Sequence, residues 1–311
     1  MKWTGEARYT YTSQRDEQAD GSQKKDNTDK LQFRLYPTAE INNNWHVKAR
    51  LTASTLMDKD AGKDDSDKVE LTYVYADGQY NNFDVKLGKM PLYSTADDGL
   101  VVDDFFSGAQ VNFGKDLKAT LEAGRYDLDR AQDNFSDAAT ADKAANYQGI
   151  ELNYGPNKFR MGASYRHFNS AAFKNVENYR NGSSKSDDAN IWSVGAGYRF
   201  DHNGISSVPS LRTRKLTTTT GSQHPALLQG SDIANKGTWG AYAAYRYLGN
   251  NAVVMPTYDT AHSHVNEKGW EVGATYVPFT NVYTAIEYFD GKTLDTDRDA
   301  KTLFGRVSFF F

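Results

Sequence analysis

The chain has 311 residues, is 39% hydrophobic with a mean hydropathy of -0.72, and carries 40 acidic against 36 basic side chains for a net charge of -4. That balance gives no case for nucleic-acid binding. No run of the sequence is apolar enough for a membrane helix, and the lack of cysteine excludes disulfides and thiolate metal sites.

Aromatic residues make up 13% of the chain, including 20 tyrosines, while prolines number 7, a composition suited to strands. The N-terminus, Met1-Lys2-Trp3-Thr4-Gly5, has no apolar core of a signal peptide, so the chain is expected to be either a mature fragment or not exported.

The first expected strand covers 5–12. Ala7, Tyr9 and Tyr11 share one face and Glu6, Arg8 and Thr10 the other, as a period of two requires. A charged loop leads to Leu31, Phe33 and Leu35, alternating with Gln32 and Arg34. Asn42-Asn43-Asn44 forms a tight turn of residues that tolerate turn backbones. Trp45, Val47, Ala49 and Leu51 then alternate with His46, Lys48, Arg50 and Thr52. The same pattern returns at Val69–Tyr75, Phe83–Leu87, Ala109–Phe113 and Leu117–Ala123, where Arg125 misfits the apolar face. It continues at 147–154, 159–165, 192–200, 239–247, 270–276, 282–288 and 303–311. Weaker alternation marks strands at 205–216 and 252–258.

Short turns (41–44, 79–82, 114–116, 154–158, 201–204, 248–251, 278–281) alternate with long polar loops (13–28, 57–67, 90–107, 128–145, 169–188, 217–235, 259–267, 290–299). A soluble sandwich has no reason to keep its long loops at one end, whereas a membrane barrel does. The expectation is an all-β, single-domain chain over 1–311: a transmembrane antiparallel barrel of about sixteen strands. Its short turns would be periplasmic, its long loops extracellular and its third loop folded into the lumen. Low mean hydropathy agrees, because such strands give half their residues to a watery interior.

Aromatic residues fall near the strand ends on the apolar face. Trp45, Phe83, Phe113, Tyr154, Phe159, Phe200, Tyr247 and Phe311 lie toward the short turns. Tyr11, Tyr165, Trp192, Trp239, Trp270 and Tyr288 lie toward the long loops. Two girdles, one per membrane interface, are expected, with outer-membrane lipid as the surrounding partner.

The third long loop, 90–107, mixes Leu100, Val101, Val102, Phe105 and Phe106 with the acidic pairs Asp97-Asp98 and Asp103-Asp104. Apolar residues there suggest that it packs against the inner wall; an exposed lid is the alternative. If the last strand closes on the first, Arg306, Arg8, Arg34, Lys48 and Arg50 form a basic wall on neighbouring strands. An acidic loop facing a basic wall would set a transverse field across the narrow point. Inward acids (Glu6, Glu70, Asp84, Glu122, Glu271, Glu287) leave the net preference open, and each arginine could equally be an ordinary paired lumen residue.

With its alternating strands, acidic third loop, clustered arginines and terminal Phe311, the chain resembles a general diffusion porin. The stretch Leu87-Gly88-Lys89-Met90 through Asp98-Gly99-Leu100-Val101-Val102-Asp103-Asp104 also resembles the porin barrel of OmpM-type outer-membrane proteins of diderm Firmicutes. In those, an N-terminal S-layer-homology segment tethers membrane to cell wall; none is present here, so a tether role is expected to be absent or removed. The resemblance implies a homotrimer passing ions and small hydrophilic solutes by passive diffusion, with no cofactor. It also implies that 57–67 could reach a neighbouring subunit.

Rival readings are an outer-membrane enzyme, a soluble binding sheet and a substrate-specific channel. For an enzyme, His167 is the only histidine near the level of the acidic loop, and a solvated Asp pair is far commoner. His262-Ser263-His264 lacks a third metal ligand, so a solvated loop is favoured. Scattered inward aromatics (Tyr36, Tyr126, Phe168, Tyr242, Tyr283, Phe304) do not mark a sugar path.

Overall fold

A computed structural model of the chain describes residues 1–57, 68–137, 139, 143–156, 159–178, 182–183, 186–199, 206–207, 210–214, 220–228, 231–257, 260–261 and 264–311. Its core is one 17-stranded antiparallel sheet. The strands are β1 (Lys2–Glu17), β2 (Gln23–Glu40), β3 (Trp45–Leu56), β4 (Glu70–Gln79), β5 (Phe83–Tyr93), β6 (Asp103–Phe113), β7 (Leu117–Asp127), β8 (Ala144–Tyr154) and β9 (Phe159–Asn169). After a separate small hairpin, β10 (Glu177–Asn178) and β11 (Gly182–Ser183), come β12 (Asp188–Arg199), β13 (Ser206–Ser207), β14 (Ser210–Arg214), β15 (Thr220–Leu228), β16 (Trp239–Leu248), β17 (Glu267–Phe279), β18 (Val282–Thr293) and β19 (Asp299–Phe310). The helical pieces are short turns, and no helix among the described residues is long and apolar enough to cross a membrane.

Pairing follows chain order. β1 is the exception that matters, since it pairs with β2 on one side and β19 on the other. Ala7 therefore stands opposite both Phe33 and Phe309. Phe311 extends this seam: its N–H and C=O bond to the C=O and N–H of Gly5 at 3.1 and 2.7 Å. A Cβ at Gly5 would meet the Phe311 ring at 2.3 Å, so the ring lies over the glycine.

The two faces of the sheet have inverted chemistry. Leu31, Phe33, Leu121, Ile150, Val194, Val272 and Ile286 are large, apolar and exposed. Their strand neighbours Arg34, Glu122, Glu151, Ser193, Glu271 and Glu287 are polar and buried. A water-soluble sheet does the reverse, because burying apolar area drives its folding. An exposed apolar belt running round so many strands requires an apolar surrounding.

Two segments depart from the sequence reading. Residues 252–258 were expected as a strand, but those of them described form a buried connection touching the third loop. Residues 220–228 were expected within a long loop and form β15. The apolar run Ala252-Val253-Val254 is short and can bury itself in a strand or in a loop, and periodicity does not separate the two. The exchange reverses the direction expected for 239–247: Trp239 pairs with Tyr276 near the short turn to β18, and Tyr245 meets Trp270 at the other end. Trp239 thus stands at the short-turn end and Tyr247 at the long-loop end.

Candidate functional site: a docked loop and a charged inner face

The third connection, 94–102, begins where β5 ends. Gly88 has φ +129, and a Cβ there would lie 2.6 Å from the Val74 carbonyl, so only glycine fits. Beyond it Met90 and Leu92 are fully buried. They join Val101, Val102 and Phe106 in an apolar cluster with Tyr126, Leu128, Phe135, Tyr147, Phe168 and Val254. The connection therefore packs against the buried face of β7–β9 and does not project into solvent.

Its tip, the 3-10 turn Thr95–Asp97, touches β8, β9, β12 and β14. The approach needs bare backbone. A Cβ on Gly195 would meet the Ala96 carbonyl oxygen at 1.9 Å, and one on Gly162 would meet Ala96 Cα at 2.8 Å. The Ala96 N–H donates to Glu151 Oε1 at 3.2 Å. Glu151 in turn accepts from Arg166 Nη2 at 2.8 Å and from Asn153 at 2.7 Å. Arg166 is 1% exposed and also faces Glu122 at 4.0 Å, and Glu122 accepts from Tyr147 and Gln110. A buried charge held among several partners fixes its neighbours in one geometry.

The four acids have separate surroundings. Asp97 is fully buried and accepts from Ser94 Oγ at 2.5 Å and from the Val101 N–H at 2.9 Å. Asp98 takes the left-handed cap position (φ 59) and lies 3.6 Å from Arg160, both half-exposed. Asp103 is partly buried, and its N–H donates to the Met255 carbonyl at 2.8 Å. Asp104 is buried and accepts from Arg130 Nε and Nη2 at 2.8 and 2.7 Å and from Tyr126 Oη at 2.8 Å. Burial works against the Arg130 charge, but the hydrogen bond and charge of Asp104 outweigh it, so Arg130 holds its proton more tightly than usual.

Arg8, Arg34, Lys48, Arg50 and Arg306 all lie on the inner face, and carboxylates run among them. Glu6 stands between Arg8 at 3.2 Å and Arg34 at 3.5 Å, and accepts from Ser308 at 2.9 Å. Lys48 meets Asp77 at 2.6 Å. Arg50 makes no ion pair among the described residues; its guanidinium lies over the Phe105 and Tyr73 rings at 4.7 and 5.4 Å. Arg306 lies over Phe304 at 5.0 Å.

On the outer face Phe83, Phe113, Tyr154, Phe159 and Phe311 are exposed near short connections. Trp45 donates to Tyr80 at 3.0 Å, and Tyr80 stacks on Phe83 at 4.8 Å. Trp192 and Trp270 are exposed toward the long connections, and Trp192 contacts Tyr165 at 4.3 Å. Phe200, His262 and Ser263 lie outside the described residues, as do 58–67. His167 meets Asn190 at 2.8 Å and Asp188 at 3.6 Å, away from the acids of the third connection.

Sequence reasoning missed the connection after β16. Its Val254 and Met255 N–H groups donate to the Val101 carbonyl at 3.0 and 3.3 Å, and a parallel bridge joins Val102 to Met255. The signal is the apolar run at 252–254, a match for the apolar third loop, but a run that short reads equally well as a strand.

This arrangement, a sheet wet on its buried face and apolar on its exposed one with a loop docked inside, is that of the porin fold. Solved porins superpose over the whole chain. OprB of Pseudomonas putida gives a TM-score of 0.71 at 11% identity over 100% of this chain and 94% of its own. OmpF of Salmonella typhi gives 0.64 at 13% over 100% and 97%, and a variant of the Rh. blastica porin 0.58 at 13% over 100% and 99%. No protein-family model and no curated protein sequence matches.

Proposed function

We propose that the chain is an outer-membrane porin: a water-filled channel for passive diffusion of ions and small hydrophilic solutes, with no catalytic step. The inverted sheet carries this reading. Exposed Leu, Val, Ile and Phe side chains suit lipid, and buried Arg, Glu and Asp on the opposite face suit a wet lumen.

The pairing of β1 with β19 supports closure as a barrel. β13 and β14 pair with the same two strands, β12 and β15, in one register, so they are two pieces of a single strand. The 17-stranded sheet then counts as about sixteen barrel strands, an even number as such barrels have. All of 1–311 forms one domain. The connections 41–44, 80–82 and 114–116 face the periplasm, and 94–102 crosses the lumen. The constriction lies between that loop and the wall of Arg8, Arg34, Lys48, Arg50 and Arg306. Of the four loop acids Asp97, Asp98, Asp103 and Asp104, half-exposed Asp98 contributes most to the loop's field, because Asp97 and Asp104 are buried in internal bonds and Asp103 is partly buried. The porin fold supports a homotrimer.

Reconstitution in a planar bilayer tests this. Stepwise conductances grouped in threes are expected, and a persistent lack of ion current defeats the channel reading.

A further inference from the structure

We infer that residues 250–257 form a second constriction element, a strap that docks on the third loop and sets the size limit of the passage with it. This rests on the channel reading above and goes beyond it, since that reading needs only one infolded loop.

The strap and the loop share main-chain bonds along their length. Val254 and Met255 N–H groups reach the Val101 carbonyl, Thr257 N–H reaches the Gly99 carbonyl at 3.1 Å, and Asp103 N–H returns to Met255 at 2.8 Å. Gln132 adds a third segment: its N–H donates to the Val254 carbonyl and its side chain to the Asn250 carbonyl, both at 2.8 Å. These pairings satisfy the backbone groups of both segments without water, so the strap and the loop move as one docked unit.

Apolar contacts agree. Leu100 packs with Leu248, Ala252 and Val253, while Val254 joins the cluster around Val101 and Val102. Ala252 and Val253 are fully buried. Farther on, Thr260 Oγ1 donates to Glu271 Oε1 at 2.6 Å and the Ala261 N–H donates to Glu287 Oε2 at 3.1 Å. Glu271 and Glu287 stand on the buried faces of β17 and β18. The connection after β16 is thus tied to the third loop at one place and to the inner wall at another. A segment so tied occupies lumen cross-section, and one backbone beside another takes up roughly 5 Å.

The test is Val253→Asp combined with Val254→Asp, which puts two charges into the apolar junction. Single-channel conductance in planar bilayers should rise clearly above the wild-type level, since the width of one backbone is freed. The largest neutral polymer that enters should also grow, while wild-type protein keeps the smaller limit. Should that variant not assemble, Val253→Gly with Val254→Gly removes the same contacts without charge. It should show flicker between the wild-type level and a higher one. Wild-type conductance and polymer limit in both variants would overturn the strap, while a silent wild-type chain would instead overturn the channel reading.

Discussion

Asp97 and Asp98 are neighbours in sequence and opposites in environment. The Asp97 carboxylate holds the Ser94 hydroxyl and the Val101 N–H inside the loop. Removing a buried acceptor leaves donors without partners, at a cost of about 1–3 kcal/mol. Asp97→Ala should therefore raise protease cleavage within 94–102. Asp98→Asn should leave cleavage unchanged and shift the reversal potential toward anions, because its side chain is 44% exposed. Equal reversal shifts with no change in cleavage for either variant would remove the distinction. The acidic pairs were legible in the sequence as charges in an apolar loop. Their division into buried ties at Asp97 and Asp104 and an exposed charge at Asp98 was not, because it depends on partners such as Arg130 and Arg160 that lie 26 and 62 positions away from Asp104 and Asp98.

At the scale of elements, the third loop stays in place because two wall strands give up side chains where it lands. Gly162 on β9 and Gly195 on β12 leave room for the backbone at Ala96. At Gly195 the atom in the way is a carbonyl oxygen 1.9 Å from the added Cβ, so backbone must move. Forced overpacking of this kind costs about 1–3 kcal/mol. Gly195→Ala should thus raise the open population of the loop by roughly ten- to a hundredfold, measured as proteolysis within 94–102 or as noise in the channel current. A loop as resistant as in the wild type would show that it is held elsewhere. Strands β1 to β9 and β17 to β19 were legible because alternation and Asn- or Gly-containing turns agree there. Between them, 205–216 and 239–247 were legible as strands, but 220–228 reads as loop and 252–258 as a strand, and missing the first reversed the direction expected for β16: Thr217–Thr220 is polar enough to look like loop. β15 carries Gln223, His224 and Pro225 in mid-strand, where an apolar stripe would have announced it. Contacts between connections far apart in the chain, such as Val254 with Val101, leave no period in a sequence, so 250–257 could be placed only by the fold.

For the whole molecule, stability depends on which solvent each face meets. Val272 lies in mid-β17, is 49% exposed and pairs with Ala243 and Tyr288, all on the apolar side. In water such a valine would be a liability; in a bilayer it replaces lipid contacts at no cost. An arginine there must be carried into hydrocarbon, which costs about 2–4 kcal/mol at the midplane and little near the interfaces. Val272→Arg should therefore lower the unfolding free energy in lipid vesicles by about that amount. Inner-face Thr120→Arg should change it by much less, because the face it joins already carries Lys118 and Glu122. The matching substitution at an interface position, Phe159→Arg, should fall between the two. Urea titration of the folded chain in vesicles, followed by tryptophan fluorescence, measures all three. A sheet with water on both sides would give Val272→Arg no penalty or a gain. The order Val272→Arg, Phe159→Arg, Thr120→Arg in falling cost therefore reports the membrane itself, independently of any current the channel carries.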